Sequence, residues 1–226
     1  MASKDGSAGG HSHGAAPMGG MGDSTVLGQT NFFKLPEGFC NKDGPCTVLG
    51  GRVGLMFENG TVPGPAAGIY IHHLLTFNQQ KKQAKFLGTC DKGYEVDQMP
   101  AGLASVGSGF LGTGEDTGKS QALYTTKDGK HDAGNWINKG DTFVANAQLV
   151  NYNKETQKLY LTYETEFVPG NVGGDTRSVL LSVTQCGTPV ALDKNGPAVS
   201  KSGKFTFLED GYIVGSRGHI HGLFSI

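Results

Sequence analysis

The chain has 226 residues, 37% hydrophobic and 17% charged, which suits one globular core and leaves little room for a second. Lysine plus arginine number 19 and aspartate plus glutamate 20, a net charge of −1, so the positive surplus that binds a phosphate backbone is absent and no nucleic acid partner is expected. The longest apolar run, Ile69-Tyr70-Ile71-His72-His73-Leu74-Leu75, is far shorter than the ~20 residues of a membrane helix, so no membrane span is expected either.

Residues 1–24 are mostly Gly, Ala, Ser, His and Met. Such a segment buries too little apolar surface to offset chain ordering, and we expect a disordered tail ahead of a single β domain over 25–226. The tail has no apolar core of the kind a secretory signal needs. His11-Ser12-His13 with Met18 and Met21 offers imidazole and thioether ligands suited to copper capture; the alternative is an unstructured linker.

Of four cysteines, at 40, 46, 90 and 186, the first two bracket Asn41-Lys42-Asp43-Gly44-Pro45, a turn-rich segment that brings two sulfurs together. A Cys40–Cys46 disulfide is expected, and Asn59-Gly60-Thr61 is a glycosylation sequon in a Gly/Pro-rich loop. Both favour an extracellular protein whose signal segment is gone from this chain. The competing reading is a cytoplasmic protein with four unpaired, buried cysteines.

Glycine is 37 of 226 residues, about 16% against a usual ~7%, without the three-residue period of collagen. It is interleaved with aliphatic and aromatic residues, which indicates tight turns between short strands. Strands are expected over 48–57, 68–77, 120–126, 141–152, 157–167, 177–185 and 204–208, and helical spacing is hard to find. The stretch 99–118 reads as a long loop around one short strand. In 159–167, Leu159, Leu161, Tyr163 and Phe167 share one face and Thr162, Glu164 and Glu166 the other, the pattern of a half-buried antiparallel strand. The preceding strand joins it through Asn153-Lys154-Glu155-Thr156, a connection of hairpin length, so the two are expected to form the central hairpin of an all-β antiparallel sandwich of jelly-roll type.

Six of the seven histidines fall in close pairs: His11/His13, His72/His73 and His219/His221. On a strand, residues two apart share a face at about 6.6 Å, so His219-Ile220-His221, following a strand-and-turn segment over 211–215, is spaced to chelate one ion with bonds of about 2.0–2.1 Å. His72 and His73 are adjacent and face opposite ways on a regular strand; both reach one ion only if a bulge re-aims one of them. Otherwise a three-histidine site from His219, His221 and one of the first pair is the economical arrangement, suited to copper or, less well, zinc. The alternative is that His72 and His73 are ordinary strand residues, one packed and one exposed. His131, in a polar turn ahead of Trp136, is expected to face solvent. Glu164 and Glu166 share a strand face but receive no role.

The segments Tyr70-Ile71-His72-His73-Leu74-Leu75-Thr76-Phe77 and Gly218-His219-Ile220-His221, with Gly140-Asp141-Thr142-Phe143 and Leu149-Val150-Asn151-Tyr152-Asn153 between them, resemble copper type II, ascorbate-dependent monooxygenase-like proteins. These are related to peptidylglycine α-hydroxylating monooxygenase and include single-domain proteins of the stress up-regulated nodulin type. The resemblance covers about residues 45–221 and implies a β-sandwich with copper at its rim, His72 and His73 in one ligand set and His219 and His221 in the other. It also implies ascorbate as external reductant and a small-molecule or peptide substrate. In the hydroxylase the second centre is completed by a methionine. Here only five residues follow His221 and none is methionine, so a complete two-copper hydroxylase is not expected: the chain is either a C-terminally shortened member or a family member that binds metal without catalysis.

Two other classes compete. One is a non-catalytic copper-buffering protein; the other is a structural or cell-surface interaction module that holds no metal. A cupin is disfavoured because no carboxylate follows His-x-His, and a serine hydrolase because no Gly-x-Ser-x-Gly elbow links a strand to a helix. Gly118-Lys119-Ser120 has Thr113 where a phosphate loop needs its first glycine.

Overall fold

A computed structural model describes residues 28–35, 39–40, 44–84, 86–87, 107–114, 121–126, 128, 131–179, 181, 183, 199 and 201–218. The expected tail 1–24, Cys90, Cys186 and the pair His219/His221 lie outside these residues, as do 180, 182, 184 and 185 of the expected strand 177–185.

The elements in chain order are β1 Gly28–Lys34, β2 Cys46–Phe57, a 3₁₀ turn Pro65–Ala67, β3 Ile69–Asn78, β4 Phe86–Leu87, β5 Ser108–Gly114 and β6 Ala122–Leu123. Then follow β7 Ala133–Ile137, β8 Phe143–Asn151, β9 Leu159–Pro169, β10 Gly174–Asp175 and β11 Thr206–Phe207. Among the described residues no helix is long and apolar enough to cross a membrane.

Two sheets make an all-β sandwich. The first is antiparallel with order β1-β8-β3-β5. In the second, β9 pairs with β2 along its whole length, while the other edge of β2 is shared by β7 and β6, and β10 adds a short parallel pairing to β7. The core between them joins Leu74, Phe110, Leu111, Phe143, Ala145 and Ala147 of the first sheet to Cys46, Val48 and Ile137 of the second. Cys40 and Cys46 form the expected disulfide. That link holds Phe39 against Phe110, Phe143 and Tyr163, with ring centroids 5.0, 4.7 and 5.2 Å away. Gly51 allows the sheets to close: a Cβ there would lie 2.5 Å from the Glu164 carbonyl oxygen and 3.0 Å from the Leu111 side chain.

β9 is half-buried as its alternation predicts, with Leu161, Tyr163 and Phe167 packed on the core and Tyr160, Glu164 and Glu166 exposed. The expected hairpin of 143–152 with 159–167 does not form. β8 has β1 on one side and β3 on the other, leaving no edge for β9, which crosses to the second sheet and pairs with β2. The connection 152–158 is therefore an arch between sheets. Other expected strands shrink: 120–126 to Ala122–Leu123 and 204–208 to Thr206–Phe207, while 177–179 and 211–215 carry no strand. β1 and β7 arise where no strand was expected; their apolar residues are too few and too interrupted by polar ones to announce a strand before pairing supplies the partners.

Candidate metal centre

β3 carries the first histidine pair, and its register breaks at that point. Ile71 is opposite Leu149 of β8 while His73 is opposite Gln148, so His72 is the extra residue of a β-bulge. The break reverses the alternation of the strand. Ile71 packs against the core, and so does Leu74, which is fully buried. With both neighbours turned inward, His72 and His73 stand together on the outer face, each half-buried, their ring centroids 4.3 Å apart and their planes at 59°. The bulge required for both rings to reach one ion is present, and the reading of one packed and one exposed histidine does not hold.

The sheet sets the hydrogen-bond partner of His73. Its Nδ1 lies 3.2 Å from Oε1 of Gln148, its partner across the ladder. An amide oxygen only accepts, so in this arrangement Nδ1 carries the proton and Nε2 keeps the lone pair that a metal requires. On the other side His73 faces Gly114 of β5, which presents no side chain. Beyond the pair, Thr76 Oγ1 and the Tyr163 hydroxyl share a hydrogen bond of 2.9 Å across the core, tying β3 to β9. Burial raises the Tyr163 phenol above its ordinary range, and this hydrogen bond opposes the shift.

The segment leading to the second pair runs past the same sheet. Arg217 Nη1 donates to the carbonyl oxygen of Gly112 at 2.9 Å, and Gly112 is opposite Leu75, two residues beyond His73 on β3. Further back, Arg177 pairs with Glu209. His131 is half-buried rather than solvent-facing: its ring stacks on Tyr212 with centroids 3.9 Å apart, and its backbone N–H donates to Thr126 Oγ1 at 3.1 Å. Glu164 is an exposed partner of Arg52, at 2.6 Å from Nη2 and 2.8 Å from Nε, which accounts for it without chemistry. Among the described residues there is no group of three or more His, Cys, Asp or Glu spaced to hold a metal, so His72 and His73 are the part of the expected ligand set that falls within view.

Three positions escaped the sequence reading. Gln148 becomes a partner of His73 only through register, and Arg217 finds Gly112 only through the course of the C-terminal segment. Lys81 is the third. Its ammonium is nearly enclosed, 2.5 Å from Asp175 Oδ1, 3.2 Å from Asn135 Oδ1 and 3.1 Å from the carbonyls of Trp136 and Thr176. Burial lowers its pKa, and the hydrogen bond and charge of Asp175 oppose that shift. In the sequence, Lys81 is one of two adjacent lysines after a strand and carries no sign of such an enclosure.

No protein-family model matches the chain, and no solved structure matches it. It is 27% identical over 129 residues to the probable copper-dependent oxygenase M1 of Phoma sp. (strain ATCC 20986 / MF5453). The matched stretch is 56% of this chain and 29% of that protein, so the chain spans under a third of the length of that curated relative.

Proposed function

We propose that this chain is a copper-binding β-sandwich and acts as a copper- and ascorbate-dependent monooxygenase-like oxidoreductase. His72 and His73 form one ligand set, and His219 and His221 the other. The observation that carries the reading is the bulge at His72, which sets two adjacent imidazoles side by side on one face instead of dividing them between core and solvent. A 4.3 Å separation of ring centres is short enough for two imidazole nitrogens to share an ion at about 2.0–2.1 Å. The distant likeness to a protein named as a probable copper-dependent oxygenase supports the choice of copper over zinc.

Each nearby residue then has a task. Gln148 accepts a hydrogen bond from His73 Nδ1, which leaves Nε2 as the ligand atom. Ile71 and Leu74 anchor the strand on either side, fixing the two rings against rotation of the backbone. Arg217, two residues ahead of His219, holds its segment on β5 beside the His73 row. Copper, when bound with an external reductant such as ascorbate, supplies the one-electron chemistry that activates dioxygen toward a small-molecule or peptide substrate. An extracellular setting is favoured by the Cys40–Cys46 disulfide and by the exposed turn holding Asn59, the residue that would carry a glycan.

The test is copper content after loading and desalting, with oxygen uptake in the presence of ascorbate. Wild type is compared with His72→Ala/His73→Ala, His219→Ala/His221→Ala and His11→Ala/His13→Ala. Copper that either of the first two variants loses and the third retains, together with oxygen uptake, supports the enzyme. Retained copper without oxygen uptake would leave a buffering protein. Copper lost only with His11 and His13 would move the site to the tail, and absence of copper throughout would leave an interaction module.

A further inference from the structure

We propose that Tyr70 and Tyr152 form a paired oxidation site at the mouth of the histidine pair, where a one-electron oxidant couples the two phenols into an intramolecular dityrosine. Only the source of the oxidant rests on the copper reading above; the pair itself stands on its geometry. The two hydroxyl oxygens are 3.4 Å apart, the ring centroids 6.0 Å apart and the planes tilted by 33°. Tyr152 is 59% exposed, so oxidants reach it from solvent.

Both rings are held from the backbone. Tyr70 is paired with Val150 within the β3–β8 ladder, and the Tyr152 N–H donates to the Gly68 carbonyl at 2.8 Å just beyond the end of β8. The side chain of Asn153 adds a bond of 2.9 Å to the Ala67 carbonyl, closing the same end of the sheet. Ile69 is buried and Ile71 packs on the core, so Tyr70 shares the outer face with His72, about 6.6 Å away along the strand. Tyr70 is therefore a phenol neighbouring His72 on that face, placed so that a one-electron oxidant formed beside the histidines could oxidise it.

The coupling balances as follows. Each phenol gives up one electron and its hydroxyl proton, a C–C bond forms between the ring carbons ortho to the two oxygens, and the hydrogen on each of those carbons passes to the phenolic oxygen as the rings rearomatise, restoring both hydroxyls. Hydrogen peroxide, with copper(II) as catalyst, accepts the two electrons and two protons; its O–O bond breaks and two waters leave. The product is a covalent staple between β3 and the residue following β8, beside the metal ligands.

The test uses the full chain under two oxidants. Copper-loaded protein is treated with hydrogen peroxide, and metal-free protein is photo-oxidised with a ruthenium tris-bipyridyl complex and persulfate; dityrosine fluorescence and peptide mass mapping are the readouts. A 70–152 cross-link is expected under both, with loss of the signal in Tyr152→Phe. His72→Ala/His73→Ala is expected to lose it under copper and peroxide and keep it under photo-oxidation. Absence of the cross-link under photo-oxidation of wild type would overturn the proposal and leave the copper reading to its own test. A cross-link under photo-oxidation alone would uphold the phenol pair and count against copper at His72 and His73.

Discussion

Ile71 and Leu74 both turn into the core although three positions separate them, and the two side chains between them are the histidines. A regular strand would send residues 71 and 73 to one face and 72 and 74 to the other. The bulge changes that count, and one local irregularity converts an apolar strand into a surface with two adjacent imidazoles. The same device recurs on β5, where the β3 register slips between Leu75 and Phe77 and the consecutive Phe110 and Leu111 both enter the core.

The role given to Gln148 is open to a direct measurement. Gln148→Leu keeps a side chain of similar size but removes the acceptor for His73 Nδ1, freeing the ring to change tautomer and orientation. Copper affinity, measured by competition with a chelator, is expected to fall about 10–100-fold with the circular dichroism spectrum unchanged. Affinity equal to wild type would dissociate Gln148 from the metal site.

The enclosure of Lys81 bears on stability. Lys81→Met leaves Asp175 and the carbonyls of Trp136 and Thr176 without their cation. The expected loss is about 3 kcal/mol, the low end for a broken buried pair, because Asp175 keeps 28% of its side-chain surface in water. The pH dependence has a definite sign. The folded-state pKa is below the ordinary 10.5, so between the two values the unfolded chain binds more protons than the folded one. This group's contribution to stability therefore rises with pH across that window, and the stability difference between wild type and Lys81→Met is expected to widen there. Denaturant titrations at a series of alkaline pH values would measure it; a difference that narrows would contradict the assignment.

Much of this architecture is legible in the amino acids, and what is not has an identifiable cause. The alternation of Leu159, Leu161, Tyr163 and Phe167 against Glu164 and Glu166 is enough to place β9 as a half-buried strand. It says nothing of which strand lies beside it: a four-residue polar connection serves a hairpin and an arch equally, and the choice follows from β1 and β3 occupying both edges of β8. The bulge is partly readable, since Ile69 and Ile71 are odd-numbered whereas Leu74 and Thr76 are even, a break in parity at the histidines. The stacking of His131 on Tyr212 depends on residues 81 apart in the chain and on a segment without regular structure, so local pattern cannot reveal it.

Tyr124 offers an alkaline counterpart to Lys81. Its ring packs beside Phe110 and its hydroxyl is buried with no hydrogen-bond partner among the described residues, so burial raises the phenol pKa strongly above 10. A folded-state pKa above the unfolded value means that the folded protein holds a proton the unfolded chain releases, and stability falls as pH rises past 10. Tyr124→Phe removes an unsatisfied hydroxyl and is expected to raise stability by about 1 kcal/mol at neutral pH. It should also flatten the alkaline decline, leaving the part due to Tyr163. A variant less stable than wild type at pH 7 would mean that the hydroxyl has a partner after all.

Arg217 lies two residues ahead of the second histidine pair. Its guanidinium holds the carbonyl of Gly112 on β5, the outermost strand of its sheet among the described residues, and Gly112 is opposite Leu75, two residues along from His73. On the proposed function, Arg217→Ala is expected to weaken copper binding by His219 and His221 while sparing the copper at His72 and His73. Arg217→Lys keeps the charge but loses the planar, multi-donor fork, and is expected to restore the second copper only in part. Copper per chain and the electron paramagnetic resonance spectrum of each variant would separate the two populations. If both are unchanged in Arg217→Ala, the tether serves only to cover the edge of β5, a task that a strand edge at the rim of a sandwich requires in any case.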